Sequence, residues 1–459
     1  MNIPWRHAVV AGSAALLLLA HVLAGFWKEP AAILRSDAAN YYVYLPAGIV
    51  YRDWSLGFLE RIPEAAGREV ARIRLENGQL AIKMSLGLAV LHAPFFLLGH
   101  AVAAASDAWP ADGYSRPYAA AVVCGAVFYF ALGLHLLGRV LAARFGERAA
   151  ALTLALLAWG TNATYYLLRE PAMSHGYSFC LFAAFVALTA AWHRRPGRVR
   201  ALALGLVYGL VTLVRPTNGV VALVFLLWDV GGWTDVKSKV VLLAGRMAEI
   251  LLIPAAALLV WVPQFLYWHQ VTGHWLHYSY VDEGFFFLRP RLLEVVAGFR
   301  KGWLVYTPAM VFALLGLGPL FRRHRGIFWA VLVFLLANLY VVSSWWCWWY
   351  GGSHGQRALI ESYAVMALPL AALIAWSFER GRAGAVAVLA VSALLVLHNG
   401  FQLAQMKTGA LHMENMTRAA YVRSFGRLRP TPPYQAALRP PDFAAARRGL
   451  PESEWNPQP

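Results

Sequence analysis

Apolar runs of about 20 residues recur along this chain, and that recurrence limits its folds more than any other feature. A run of that length is what a helix needs to cross the hydrocarbon core of a bilayer. In lipid every backbone polar group must be satisfied within the segment, which leaves helices as the way to use such runs. The candidate spans are 8–27, 117–139, 149–168, 175–192, 201–214, 219–230, 240–262, 304–321, 327–342, 360–376 and 383–397. The reading is therefore all-α: a polytopic transmembrane helical bundle of about 11 spans. Only 14% of the 459 residues are charged and 59% are hydrophobic, against about 25% charged in soluble domains. A large soluble core is excluded.

The formal charge of +17 would suggest nucleic acid in a soluble protein. Here the basic residues cluster in short loops at 139–148, 194–200, 237–246, 322–325 and 380–382. That is the signature of cytoplasmic loops, not of nucleic-acid binding. Placing these loops and the N-terminus inside gives one consistent topology. The run 84–106 is long enough to span, but a full crossing there would put every basic loop outside. Interrupted by His92, Pro94 and His100, it reads as a helix lying along or dipping into the outer leaflet. The three cysteines show no paired spacing for a disulfide framework or zinc. Two parts are expected: a membrane domain over 1–399 and a Pro- and Arg-rich, loosely structured tail over 400–459.

With this topology the unusual polar motifs gather on the outer side. Asp37 lies ten residues beyond the first span, in Ser36-Asp37-Ala38-Ala39-Asn40-Tyr41-Tyr42. A cap of a helix starting at Ala38 would hold its carboxylate still, and a fixed carboxylate beside a membrane cavity can serve as a catalytic base. The loop from 28 to 83 is amphipathic, with Tyr41, Leu45 and Ile49 at i, i+4, i+8 and a kink expected at Pro46. It suits juxtamembrane helices on the membrane surface.

Arg169 and Arg215 stand alone at outer helix ends. Each needs an anion, either a lipid phosphate reached by snorkelling or a substrate phosphate held by the guanidinium fork. Lys83 is a further phosphate-binding candidate. Short spans meeting at Pro216 read as a broken helix lining a cavity. Glu170 and His175 share the loop of Arg169, and a divalent metal there would need a third ligand, which Asp282 or Glu283 could supply. Trp345-Trp346-Cys347-Trp348-Trp349-Tyr350 is an interfacial aromatic belt, a sugar- or polyprenyl-contacting loop, or both. Gln356 and Arg357 follow it.

Together, Asp37 after the first span, the amphipathic first loop, the outer arginines and the aromatic loop resemble the C-type membrane glycosyltransferases. These include the protein O-mannosyltransferases and the aminoarabinose transferases acting on lipid A. The resemblance covers most of 1–399 as architecture with short motifs. It departs from the family at Ala38, where a second carboxylate usually follows the first. Glu170 matches the family's acidic residue in the second functional loop, and Lys83 the lysine preceding the next apolar segment in the aminoarabinose transferases.

The resemblance implies an integral protein of the bacterial inner membrane, with its active site on the outer face. The implied activity is inverting transfer of a sugar from a polyprenyl phosphate carrier to a lipid, glycan or protein acceptor. Asp37 would be the catalytic base and Arg169, Arg215, Lys83 and Arg357 the phosphate ligands. Tyr41, Tyr42, Glu170, His175, Asp282, Glu283, Trp349 and Tyr350 would contact substrate. No nucleotide cofactor is required, and a divalent metal stays open. A lipid or lipid-linked-glycan flippase is the alternative; it calls for polar residues near the midplane and a repeat between halves. A polymerase or ligase of lipid-linked glycans would share the outer arginines but not the early aspartate loop.

Overall fold

The computed structural model describes residues 4–62 and 70–451. Apolar helices dominate it, and seven are long and apolar enough to cross a bilayer: Trp5–Ala24, Gly87–Ala104, Arg116–Phe145, Ser174–Arg194, Met247–Thr272, Arg325–Ser344 and Gly381–Thr408. The other expected spans are shorter or broken. The 149–168 run becomes Glu147–Trp159 and Ala163–Arg169, interrupted at Gly160-Thr161-Asn162. There Thr161 Oγ1 donates to Leu157 O and the Asn162 amide to His354 O. Such side-chain bonds compete with the helical ladder. The 304–321 run splits at Gly316, where the backbone packs so closely on Pro369 that an added Cβ would lie 1.9 Å from its carbonyl oxygen. Helix 198–214 ends at Val214, and the chain continues through the Pro216–Val221 turn into Ala222–Leu227. This is the break expected at Pro216, which has no N–H to donate.

Helix packing rests on small residues where backbones must touch. Gly205 and Gly209 of Arg198–Val214 face Met247–Thr272, and a Cβ on Gly205 would come 2.4 Å from Ile253 O. Four-residue spacing puts both glycines on one helix face. Close backbone approach of this kind is how helices associate where lipid removes the hydrophobic drive.

The bundle has two chemically distinct ends. Arg6 pairs with Glu147, Arg144 lies 3.9 Å from Asp229, Trp192 Nε1 donates to Glu249, and Arg323 pairs with Glu379. All the basic loops thus share one end. The other end holds the Asp37 loop, the N-terminus of Ser174–Arg194 and the C-terminus of Arg198–Val214. By length and composition Gly87–Ala104 qualifies as a span, yet both its ends pack at the Asp37 end. Gly87 abuts Leu213 and Val214, and Gly99 abuts Pro117 and Tyr118.

The first loop forms a packed cap. Short helices Pro30–Ile33, Asp37–Tyr42 and Gly57–Glu60 and an antiparallel hairpin, Arg72–Arg74 with Leu80–Ile82, share a core with Phe96, Tyr118 and Tyr267.

The tail departs from expectation. Helix Gly381–Thr408 continues past 399 and ends at Gly409, whose φ of 79° turns the chain. The segment 409–451 is folded. Met416, Ala420, Tyr434 and Ala437 pack on Tyr306, Thr417 and Asp442 cap short helices, and Arg300 donates to the carbonyls of Glu414 and Arg439. Composition suggested a loose tail; a few apolar residues at the right spacing anchor it.

Candidate active site

Ser36 precedes the Asp37–Tyr42 helix with φ 54°, a left-handed conformation unfavourable for a residue with a Cβ. Asn40 holds this turn, its amide donating to Ser36 O and its Oδ1 accepting from Ala71 N. The helix begins at Asp37 itself, one residue earlier than the sequence suggests. Strain held in place by hydrogen bonds marks functional turns. Here it sets Asp37 against Arg357, whose Nη2 donates to Asp37 Oδ2 at 2.9 Å. The Arg357 side chain is 14% exposed and that of Asp37 30%, so the carboxylate is reachable and the guanidinium nearly enclosed.

A second charged group lies at the broken helix. Arg215 Nη1 is 3.3 Å from Glu361 Oε1, and His175 Nδ1 is 3.2 Å from the same oxygen. Burial works against the Glu361 carboxylate, but Arg215 and then His175 outweigh it and hold it below its ordinary range. His175 Nε2 and Glu361 Oε2 are buried with no hydrogen-bond partner. Unmet polar atoms in a dry site are costly unless something else takes them up. Tyr41 is buried near both groups: burial raises its phenol, while Arg215 and Arg357 pull it down and Asp37 pushes it up. Tyr350 lies in the field of Arg215, Glu361 and Arg357 and has a φ of 57°.

Beside these pairs is a cavity of about 170 Å³, lined by Arg35, Ser36, Ala38, Glu170, Met173, Gly352, Arg357 and Met413 among others. Glu170 is 4.0 Å from Arg35. Burial raises its carboxyl above the ordinary value, against the pull of Arg357 and Arg35. The tail reaches the cavity through Met413.

Other sequence candidates lie elsewhere. Arg169 is exposed and its guanidinium sits 4.2 Å over the Phe26 ring, so it does not join Asp37. Neither it nor Arg215 lines the cavity; Arg35 and Arg357 do. Tyr42 points into the first-loop core, its hydroxyl donating to Gly113 O at 2.6 Å. Trp349 is fully buried and donates to Glu414 Oε1, so it serves the fold of the loop. Asp282 pairs with Arg447 on the surface. Lys83 pairs with Glu283 at 2.5 Å and lies over Tyr280, at the rim of the Arg215 group. Among the described residues no group of three His, Cys, Asp or Glu side chains is gathered to hold a metal. Glu170, His175, Asp282 and Glu283 go to four different neighbours, so this donor set does not fit a metal ion.

Glu361 and Arg35 are the residues the sequence reading missed. Glu361 fell inside the expected 360–376 span, and an acidic residue within an apolar segment is itself a functional signal.

No family model matches the chain, and no curated protein matches it in sequence. Solved structures do. ArnT from Cupriavidus metallidurans bound to undecaprenyl phosphate superposes with a TM-score of 0.50 at 15% identity, over 90% of this chain and 69% of that one. The Archaeoglobus fulgidus oligosaccharyltransferase in complex with Zn and sulfate gives 0.51 at 13% identity, over 90% and 54%. The chain has the fold of the C-type membrane glycosyltransferases. It spans about half the length of the archaeal protein, and at these identities the fold is what is shared.

Proposed function

We propose that this protein is an inverting glycosyltransferase that moves a sugar from a polyprenyl phosphate carrier to an acceptor at the outer face of the membrane. The observation that carries the reading is the pairing of Asp37 with Arg357 beside the Arg215–Glu361–His175 group, in a fold shared with a protein solved bound to undecaprenyl phosphate.

The chemistry follows from the groups. The Asp37 carboxylate accepts the proton of the acceptor nucleophile. The freed electron pair attacks the anomeric carbon, the bond from that carbon to the phosphate oxygen breaks, and the oxygen keeps the bonding pair. One displacement inverts the anomeric centre. The carrier phosphate gains a charge as that bond breaks, and Arg215 and Arg357 are the cations placed to stabilise it. Before the donor arrives each is neutralised by its carboxylate, so neither stands buried and uncompensated. Glu170, with its raised carboxyl, and Arg35 are placed to hydrogen-bond sugar hydroxyls in the cavity. At about 170 Å³ that cavity is smaller than the roughly 300–1,000 Å³ of drug-sized sites, so it suits a single sugar ring.

The test is transfer by the purified protein in lipid nanodiscs from a panel of radiolabelled polyprenyl-phosphate sugars. Label should move to acceptor with at least one donor. Transport of a lipid-linked sugar across vesicles without transfer would overturn the reading in favour of a flippase.

A further inference from the structure

A second cavity lies at the opposite end of the bundle from Asp37. It occupies about 580 Å³ between the last turns of Arg116–Phe145 and Ser174–Arg194. The Ser174–Arg194 helix, 21 residues long, carries His175 at one end and Arg194 at the other, and at about 1.5 Å per residue the two sites are roughly 30 Å apart. Leu136, Val140 and Leu188 supply branched walls, and alanines including Ala187 keep the trough open. Arg139, Arg144 and Arg194 line it as well.

These cations exceed the anions available to them. Arg144 has Asp229 at 3.9 Å. Arg194 Nε donates to the Ala190 carbonyl at 3.2 Å. Arg139 has no carboxylate partner among the described residues and is exposed. The C-terminal ends of both helices carry partial negative charge that favours cations there, which holds the arginines in place without using up their charge. A trough between two membrane helices is filled by hydrocarbon in a bilayer, and three arginines in its lining favour hydrocarbon attached to an anionic group.

We propose that this trough is a binding site for an anionic phospholipid, with an acyl chain against Leu136, Ala187 and Leu188 and the phosphate held by Arg139, Arg144 and Arg194. Basic pockets between membrane helices at the basic face recognise anionic head groups in this manner. The site is separate from the transfer reaction and does not depend on it.

Native mass spectrometry of the purified full chain, with phosphatidylglycerol, phosphatidylethanolamine and undecaprenyl phosphate as probes, tests it. Phosphatidylglycerol should be retained in preference to phosphatidylethanolamine. The double variant Arg139→Ala/Arg194→Ala should lower that retention by roughly tenfold or more. Ala187→Phe, which fills the trough and leaves the arginines, should lower it too. The double variant removes exposed side chains, so it keeps the test valid if Ala187→Phe fails to fold. Glycerol phosphate, the anion without chains, should not displace the lipid. Equal retention of the two phospholipids, unchanged retention in the double variant, displacement by glycerol phosphate, or an undecaprenyl phosphate retention that the double variant lowers as much as that of phosphatidylglycerol would each overturn the proposal.

Discussion

At the residue scale, the proposed site holds two carboxylates in different surroundings, which the proposed reaction gives different tasks. Asp37 is partly exposed and Glu361 is fully buried, so the first can meet substrate while the second holds Arg215. Asp37→Asn should therefore lower turnover by about 100- to 10,000-fold, the usual effect of losing a general base, with donor binding nearly intact. Wild-type turnover in that variant would shift the role of base to Glu170. Arg215→Ala should weaken donor binding as well, because a phosphate contact acts in ground and transition states alike. A donor affinity unchanged in that variant would remove Arg215 from the phosphate site. Glu361 makes a pH prediction. Its folded carboxyl is held below its ordinary 4.5, so the unfolded chain binds the proton more readily. The stability it contributes is complete above about pH 4.5 and is lost as pH falls through the lower folded value. Glu361→Gln should abolish that acid-side loss and cost about 3–5 kcal/mol at neutral pH, by breaking a buried pair. Thermal unfolding from roughly pH 3 to 7 reads both effects, and a variant as stable as wild type at neutral pH would refute them.

At the element scale, close helix contact and the folded tail decide how the site is held. The Gly205–Gly209 face brings Arg198–Val214 against Met247–Thr272 and so fixes Arg215 at the end of the first of these helices. Gly205→Leu cannot be accommodated without separating the backbones. It should lower stability by about 1–3 kcal/mol, the usual cost of overpacking, and displace Arg215; a thermal unfolding scan with unchanged midpoint would show that the contact is dispensable. The tail acts on the aromatic loop, through Glu414 on Trp349 and through Met413, whose carbonyl accepts from Ser353 N at 2.8 Å. Truncation after Thr408 should raise amide hydrogen exchange across 345–360 while leaving Arg116–Phe145 protected, since local stability follows local packing. Equal exchange in both proteins would mean that the tail does not brace the loop.

At the scale of the whole molecule, the basic loops lie at the opposite end from Asp37, and the proposed orientation puts those loops inside. Cysteines placed at Arg195 and Arg72 should label from opposite sides of the membrane in intact vesicles, and labelling of both from one side would break the topology. Much of this was legible in the sequence. Apolar runs, basic loops and the break at Pro216 are local properties of the chain, set by hydrocarbon thickness, membrane charge and a missing N–H. They gave a helical membrane fold and the grouping of polar motifs at one end. What the sequence could not show is which cation meets which anion. Asp37 and Arg357 are 320 residues apart, and His175 and Glu361 are 186 apart. Arg169, as prominent in the sequence as Arg215, ends up on Phe26. Glu361 looked like part of a span, and the tail looked unfolded by composition. Hydropathy is summed along neighbouring residues, whereas an ion pair depends on which helices pack together, and only the tertiary structure decides that.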